Sequence, residues 1–168
     1  MLRPLSLALS LFSVCSSLLY AAPQDSFIDL CQKRESLPEE QRDFIDFLMT
    51  SNKCGHSLRI LEKIPILYFK DTYVEWSLLK EAKSLHTLHL NTFHLESLNF
   101  LRGMSQLKEL ILEKVDLSSS ADLMVLKQLP HLRTITIVGS SLSEEQRFFL
   151  SRLSGIELKF TKKKSSFS

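Results

Sequence analysis

Between residues 85 and 142 the chain reads LHTLHLNTFHL (85–95), LKELILEKVDL (107–117) and LRTITIVGSSL (132–142). Each stretch fits L-x-x-L-x-L-x-x-x-x-L, with Ile standing for Leu at 135 and 137. No single helix or strand accounts for such recurrence. A period of roughly 20 to 29 residues built on this pattern produces one strand and one return segment per unit, stacked so that neighbours bury each other's apolar side. The expectation is therefore a solenoid whose centre is Leu85 to Leu142.

Weaker copies extend the pattern in both directions. Upstream, Leu61, Ile64 and Ile66 match the strand positions, with Phe69 completing the turn. Downstream, Leu153, Ile156 and Leu158 do the same. About five strands result, begun at intervals of 24, 22, 25 and 21 residues. Pro65 then falls inside the first strand, where the missing N–H is tolerated at a sheet edge. The segments between strands also recur: Trp76, Leu79 and Ala82 lead to Leu85; Leu98, Leu101 and Met104 lead to Leu107; and Leu123, Leu126 and Leu129 lead to Leu132. Spacing by three predicts short 3-10 or helical turns on the convex side. Ser118, Ser119 and Ser120 are expected to bulge in the longest unit.

A stack exposes its first apolar layer unless something covers it. Residues 22–57 have the character of that cover. Phe27, Ile28, Leu30 and Cys31 share one face of a short helix that Asp25 or Ser26 can cap. Ser36-Leu37-Pro38-Glu39 fits a capping box, and a helix from about Pro38 to Thr50 follows, with Phe44, Ile45, Phe47, Leu48 and Met49 as its apolar side. Cys54-Gly55 is read as a turn, with a strand-like run from Leu58. About 35 residues are too few to bury a core of their own. At the other end, Ser143-Glu144-Glu145-Gln146 is another capping-box match, and Arg147 to Leu153 is expected to close the stack over residues 58–160. Residues 161–168, with Lys162, Lys163 and Lys164, lack apolar content and read as a disordered basic tail.

Residues 1–21 have the form of a secretory signal: Arg3, an apolar run from Leu5 to Leu19 containing five serines, and small residues at Ala21 and Ala22 for cleavage after Ala21. A retained anchor is the rival, although the run is short and serine-rich for a membrane span. Lipid attachment at Cys15 is a second, with Val14 where a small residue is wanted. Removing the leader takes Arg3 away and lowers the formal charge of +2 by one. That balance does not demand nucleic acid as a partner. The expected location is secreted or periplasmic, and no stable membrane insertion is expected once the leader is gone. Two cysteines, Cys31 and Cys54, then remain in an oxidising compartment, which points to a disulfide. A nucleophilic cysteine with His56 as its base has no supporting motif.

With its 22-residue central unit, Leu85 to Gln106, the chain resembles the short-repeat leucine-rich proteins of bacteria, the internalin-like class. The run of Cys31 with Gln32 and Lys33, Leu37, a helix, and Cys54 before the first strand is similar to a recurring cap in secreted bacterial repeat proteins. The resemblance implies an α/β leucine-rich repeat solenoid with about five parallel strands on its concave face, and protein binding through that face. The family usually places Asn at the ninth position, where its amide bonds the neighbouring unit. Here Phe69, Phe93, Val115 and Ser140 occupy it. The polar ladder is expected to be missing and the turns to be held by packing and backbone bonds.

Side chains alternating with the buried leucines would form the binding face. Its columns read Lys63, Thr87, Glu109, Thr134 and Gly155; Pro65, His89, Ile111, Thr136 and Glu157; and Leu67, Asn91, Glu113, Val138 and Lys159. Leu67, Ile111 and Val138, with Tyr68 beside them, are the apolar anchors expected for a protein partner. The plainer alternative is that scattered surface aliphatics need no partner. His86, His89 and His94 with Glu96 raise a metal site, but strand alternation separates them. No phosphate loop, nucleophile elbow, Cys-x-x-Cys pair or zinc-protease helix occurs, and the chain has four glycines. The expectation is a monomeric, non-enzymatic protein-binding module without cofactor or metal. The alternative is a structural envelope component that self-associates through the same face.

Overall fold

The computed structural model describes residues 25–49, 51–118 and 120–161. The signal segment 1–21, the cleavage after Ala21, and residues 162–168 of the basic tail lie outside these. Three helices come first: α1 (Phe27–Gln32), α2 (Glu39–Leu48) and α3 (Cys54–Leu61). The strands follow as β1 (Ile66–Lys70), β2 (Thr87–Asn91), β3 (His94–Leu95), β4 (Glu109–Glu113), β5 (Asp116–Leu117) and β6 (Thr134–Val138). Helix α4 (Glu144–Ser151) and strand β7 (Glu157–Thr161) close the order. Thr161 belongs to β7, so the strand takes the first residue assigned to the tail.

The main sheet is parallel throughout, in the order β1-β2-β4-β6-β7, while β3 and β5 form a second, short parallel pair. The chain is α/β. Ile66, Thr87, Glu109, Thr134 and Glu157 stand in one row, which sets steps of 21, 22, 25 and 23 residues. Leu67, Leu88, Leu110 and Ile135 form a buried column, and Phe69, Leu90, Leu112 and Ile137 form the next. Behind them run 3-10 segments at Trp76–Glu81, Asn99–Leu101 and Ser120–Gln128. There Leu79, Ala82, Leu98, Leu101, Met104, Leu123, Leu126 and Leu129 are buried in one core with the strands. Spacing by three matches the three residues per turn of a 3-10 helix, so one stripe faces inward. The longest 3-10 segment falls in the 25-residue step; the expected serine bulge centres on Ser119, outside the described residues.

The central strands stand where the pattern put them, and both outer copies shift. The first strand pairs Leu67 with Leu88 and Phe69 with Leu90, so its inward residues are Leu67 and Phe69, with Ile64 partly buried ahead of them, while Leu61 is buried as part of the helical cover rather than in the strand. Ile66 is 61% exposed. Pro65 lies just before the strand instead of inside it, and its carbonyl accepts from the N–H groups of His86 (2.8 Å) and Thr87 (3.0 Å). A residue without an N–H thus stays outside the ladder and still serves it as an acceptor. At the far end Leu158 pairs with Ile135 and Phe160 with Ile137, which moves the last copy by two residues.

Each of the first four main strands ends in a corner of left-handed backbone: Asp71 (φ 43°), Thr92 (φ 60°), Lys114 (φ 51°) and Gly139 (φ 57°). The first three corners donate their N–H to the next strand, to Asn91 O (3.0 Å), Glu113 O (2.8 Å) and Val138 O (2.8 Å). Side chains other than glycine there cost roughly 1–2 kcal/mol each. The inter-strand bonds hold them in place. The polar ladder is also not wholly missing, since the Ser140 hydroxyl accepts from Val115 N–H (2.9 Å) and donates to Leu112 C=O (3.0 Å). A hydroxyl can do both jobs of an amide across a single step.

The N-terminal end is covered by α1 to α3, whose Phe27, Leu30, Phe44, Ile45, Leu48 and Leu61 are buried. Ser26 caps α1 through a reciprocal bond pair with Asp29, and Phe27 N–H reaches Glu81 Oε1 (2.8 Å) across the chain. Two expectations fail here. Ser36 does not open α2; it lies in a 3-10 turn and donates to Lys33 O, while Pro38 is the N-cap residue and has no side-chain donor or acceptor to offer. Cys54-Gly55 begins helix α3 rather than a turn and strand. Ser57 and Leu61, four apart, are its buried residues, and the Ser57 hydroxyl donates to Ser51 O (3.2 Å). The Cys31–Cys54 disulfide does form, with its Cα atoms 5.8 Å apart, tying α1 to the start of α3.

At the other end α4 has the expected capping box between Ser143 and Gln146. Gln146 is 3% exposed, accepts from Ser143 N–H (2.9 Å) and donates to Leu117 O (3.0 Å). One amide thus starts the helix and fastens it to the preceding segment. Beyond it, among the described residues, β7 is paired on one edge only, with β6.

Candidate functional site: the open face of the sheet

Alternation along the five strands sends every second side chain away from the core. The resulting columns are Ile66, Thr87, Glu109, Thr134 and Glu157; Tyr68, His89, Ile111, Thr136 and Lys159; and Lys70, Asn91, Glu113, Val138 and Thr161. The anticipated residues from β2, β4 and β6 stand on this face: Thr87, His89, Asn91, Glu109, Ile111, Glu113, Thr134, Thr136 and Val138. Leu67 does not. It is 5% exposed and points into the core, because the register of β1 differs from the one expected. Lys63 and Pro65 precede β1, and Gly155 precedes β7, so none of the three is a strand residue.

Four anticipated residues gather at the β1 side. The Tyr68 and His89 rings meet edge to face with centroids 4.7 Å apart, and Asn91 Nδ2 donates to the Tyr68 hydroxyl (3.1 Å). Asn91 Oδ1 accepts from Thr92 Oγ1 (2.8 Å), which fixes the amide's orientation. His89 Nε2 lies 3.2 Å from Glu113 Oε2, with both side chains about a quarter exposed. Asn91 is itself buried, so its amide is locked beneath the tyrosine. The outcome is a pre-ordered polar cluster reaching from β1 to β4. Further along, Ile111, Thr136 and Val138 are half-buried and flatter.

The most exposed apolar groups lie beside this cluster. Ile66, Tyr68 at 46%, and Phe47 of α2 at 60% crowd the β1 end. Between α2 and β1 a cleft of about 300 Å³ is lined by Phe44, Phe47, Tyr68 and Phe69, with Asp43, Lys70 and Thr72 at its rim. The Phe44 and Phe47 rings each stand 5.9 Å from Phe69. A second, wider cleft of about 540 Å³ shares Asp43 and Thr72 and adds Glu40, Asp71 and Tyr73. Burial pushes the Tyr73 phenol above its usual value, and the adjacent Glu75 carboxylate, which accepts its proton at 2.9 Å, adds to the effect. The aromatic cleft is thus flanked by three carboxylates.

Ile66, Lys70 and Phe47 were not anticipated. Pro65 carried the signal for the first two: it belongs more naturally before a strand than within one, and that placement turns Leu67 and Phe69 inward. Phe47 gave none, because its spacing fits α2's apolar side and only its neighbours leave it uncovered. The other histidines scatter. His94 pairs with Asp116 (3.1 Å) on the β3–β5 side, away from His89, and among the described residues no group of three or more His, Cys, Asp or Glu is placed to hold a metal ion. Nor is any described helix long and apolar enough to cross a membrane. No protein-family model, curated protein or solved structure matches the chain.

Proposed function

We propose that the protein is a secreted or periplasmic leucine-rich repeat solenoid of the short-repeat, internalin-like kind that binds a protein partner, without catalysis, through the open face of its sheet. The observation that carries this reading is the β1 end of that face. A cleft of about 300 Å³ with aromatic walls opens beside exposed Ile66, Tyr68 and Phe47, and exposed apolar groups clustered around a pocket are what binding energy concentrates on. The neighbouring Tyr68–His89–Asn91–Glu113 cluster offers fixed donors and acceptors that orient a partner without further ordering. Asp43, Glu40 and Asp71 favour a partner segment in which a basic residue flanks an apolar one. The disulfide supports an oxidising compartment.

The experiment is affinity capture from the native envelope and medium with the wild-type protein and with Ile66→Asp and Tyr68→Ala. Met124→Asp, on the 3-10 side, serves as control. A protein held by the wild type and the control but lost from both face variants supports the reading. A partner held equally by all four refutes it.

A further inference from the structure

The two ends of the stack differ. At the first strand α2 flanks the sheet and the inward column is buried. At the last strand it is not: Phe160, which stands in the column of Phe69, Leu90, Leu112 and Ile137, is 55% exposed, and Leu158 is only half-buried. Glu157 N–H donates to Arg133 O at 2.7 Å, so the backbone of Glu157 faces β6. By alternation that of Lys159 does too, while the N–H and C=O groups of Leu158 and Phe160 point to the open edge. An edge that is apolar and, among the described residues, unpaired invites another strand.

We propose that this edge is the interface of a two-fold homodimer in which two copies of β7 pair antiparallel, with Leu158 meeting Leu158 of the second copy on the axis. Three features fix the occupant and the register. A two-fold operation makes β7 antiparallel to itself, and Leu158 on the axis brings the outward-pointing backbone groups of Leu158 and Phe160 into bonded pairs. The same register sets Phe160 against Ile156 of the second copy on the core side and Glu157 against Lys159 of the second copy on the open face, twice by symmetry. These two charges already pair within one chain at 3.3 Å. With Lys159 on the axis instead, two lysines would oppose each other, which cross-strand pairing disfavours. Gly155 (φ 76°) bends the chain away at the ladder's end and limits the pairing to a short run. Because α2 flanks the opposite edge, the contact closes at two copies rather than growing into a filament. The surface is distinct from the open-face cleft, so the two proposals stand or fall separately.

Sedimentation velocity over a concentration series, on the protein as cells process it, gives the test. The wild type is expected to dimerise. Glu157→Lys and Lys159→Glu should each weaken the dimer at least about tenfold by opposing like charges, and the double exchange, which restores opposite pairs, should recover it. Both positions changed carry exposed side chains, and Trp76 fluorescence confirms that the fold is kept. A wild type that stays monomeric at every attainable concentration overturns the proposal. So does a dimer indifferent to the single reversals, or one that the double exchange fails to restore.

Discussion

Replacing Gln146 with Glu exchanges one amide nitrogen for an oxygen at a position 3% exposed, and its two hydrogen bonds respond differently. The acceptor facing Ser143 N–H at 2.9 Å is retained. The donor facing Leu117 C=O at 3.0 Å becomes an acceptor aimed at an acceptor. Losing a buried bond and leaving a carbonyl unpaired costs about 1–3 kcal/mol, and a carboxylate buried there adds to it, for a total of about 2–4 kcal/mol. That is a large share of the 5–15 kcal/mol typical of a domain. Protonation returns an O–H donor to the site. The folded state therefore holds the new carboxyl's proton above its ordinary value of about 4.3. Below that value both states are protonated and the variant is close to wild type. As pH rises past it, the unfolded chain ionises first and stability falls until the folded carboxyl ionises as well. Gln146→Ala, which loses both bonds at every pH, gives a deficit without that slope. Urea unfolding followed by Trp76, the single tryptophan, between about pH 4 and 8 reads both curves. A Glu variant as stable as wild type near neutrality, or one whose deficit grows as pH falls, refutes the bridging role assigned to Gln146.

Two further outcomes follow from the same structure. Reducing the Cys31–Cys54 bond, or replacing both cysteines with Ser, frees a loop spanning 23 residues in sequence and should cost about 3 kcal/mol; a denaturation midpoint unmoved by reductant contradicts the tied cap. Ser140→Ala removes the hydroxyl that serves both Val115 N–H and Leu112 C=O and should cost about 1–3 kcal/mol, measured by thermal or urea unfolding, whereas a neutral substitution would show that water replaces it.

Much of this architecture can be read from the three central copies, because a buried column admits only apolar side chains and so writes its spacing into the chain. The strands at Leu88, Leu110 and Ile135 and the 3-10 stripes at Leu79, Leu101 and Leu126 are of this kind. The outer strands are less legible for a physical reason: an edge strand has one neighbour, so its register is set by a single ladder and by its cover. Leu61-x-x-Ile64-x-Ile66 and Ile64-x-x-Leu67-x-Phe69 satisfy the same apolar pattern, and only Pro65 separates them. The site suffers most from this, since Ile66 and Leu67 exchange faces when the register moves by three. The α3 helix was hidden for a different reason. Gly55 and the polar residues around Cys54 suggest a turn, and the helix is held by tertiary contacts at Ser57 and Leu61 rather than by propensity. The polar cluster was visible as separate residues, but that Tyr68, His89, Asn91 and Glu113 touch depends on the β1 register.

Neighbouring strands of the main sheet are never more than 25 residues apart along the chain, and this bears on how the protein acquires and could change its length. Every loop to be closed during assembly is short, so ordering can start from any adjacent pair of strands and spread one step at a time. The disulfide-tied helices terminate that spread at one end. At the other, β7 pairs with β6 alone, so adding one 21- to 25-residue step between α4 and β7 would leave the ladders among β1, β2, β4 and β6 intact. The Tyr68 cluster and its cleft belong to the fixed end, so the molecule can vary in reach while keeping the surface it presents at its start.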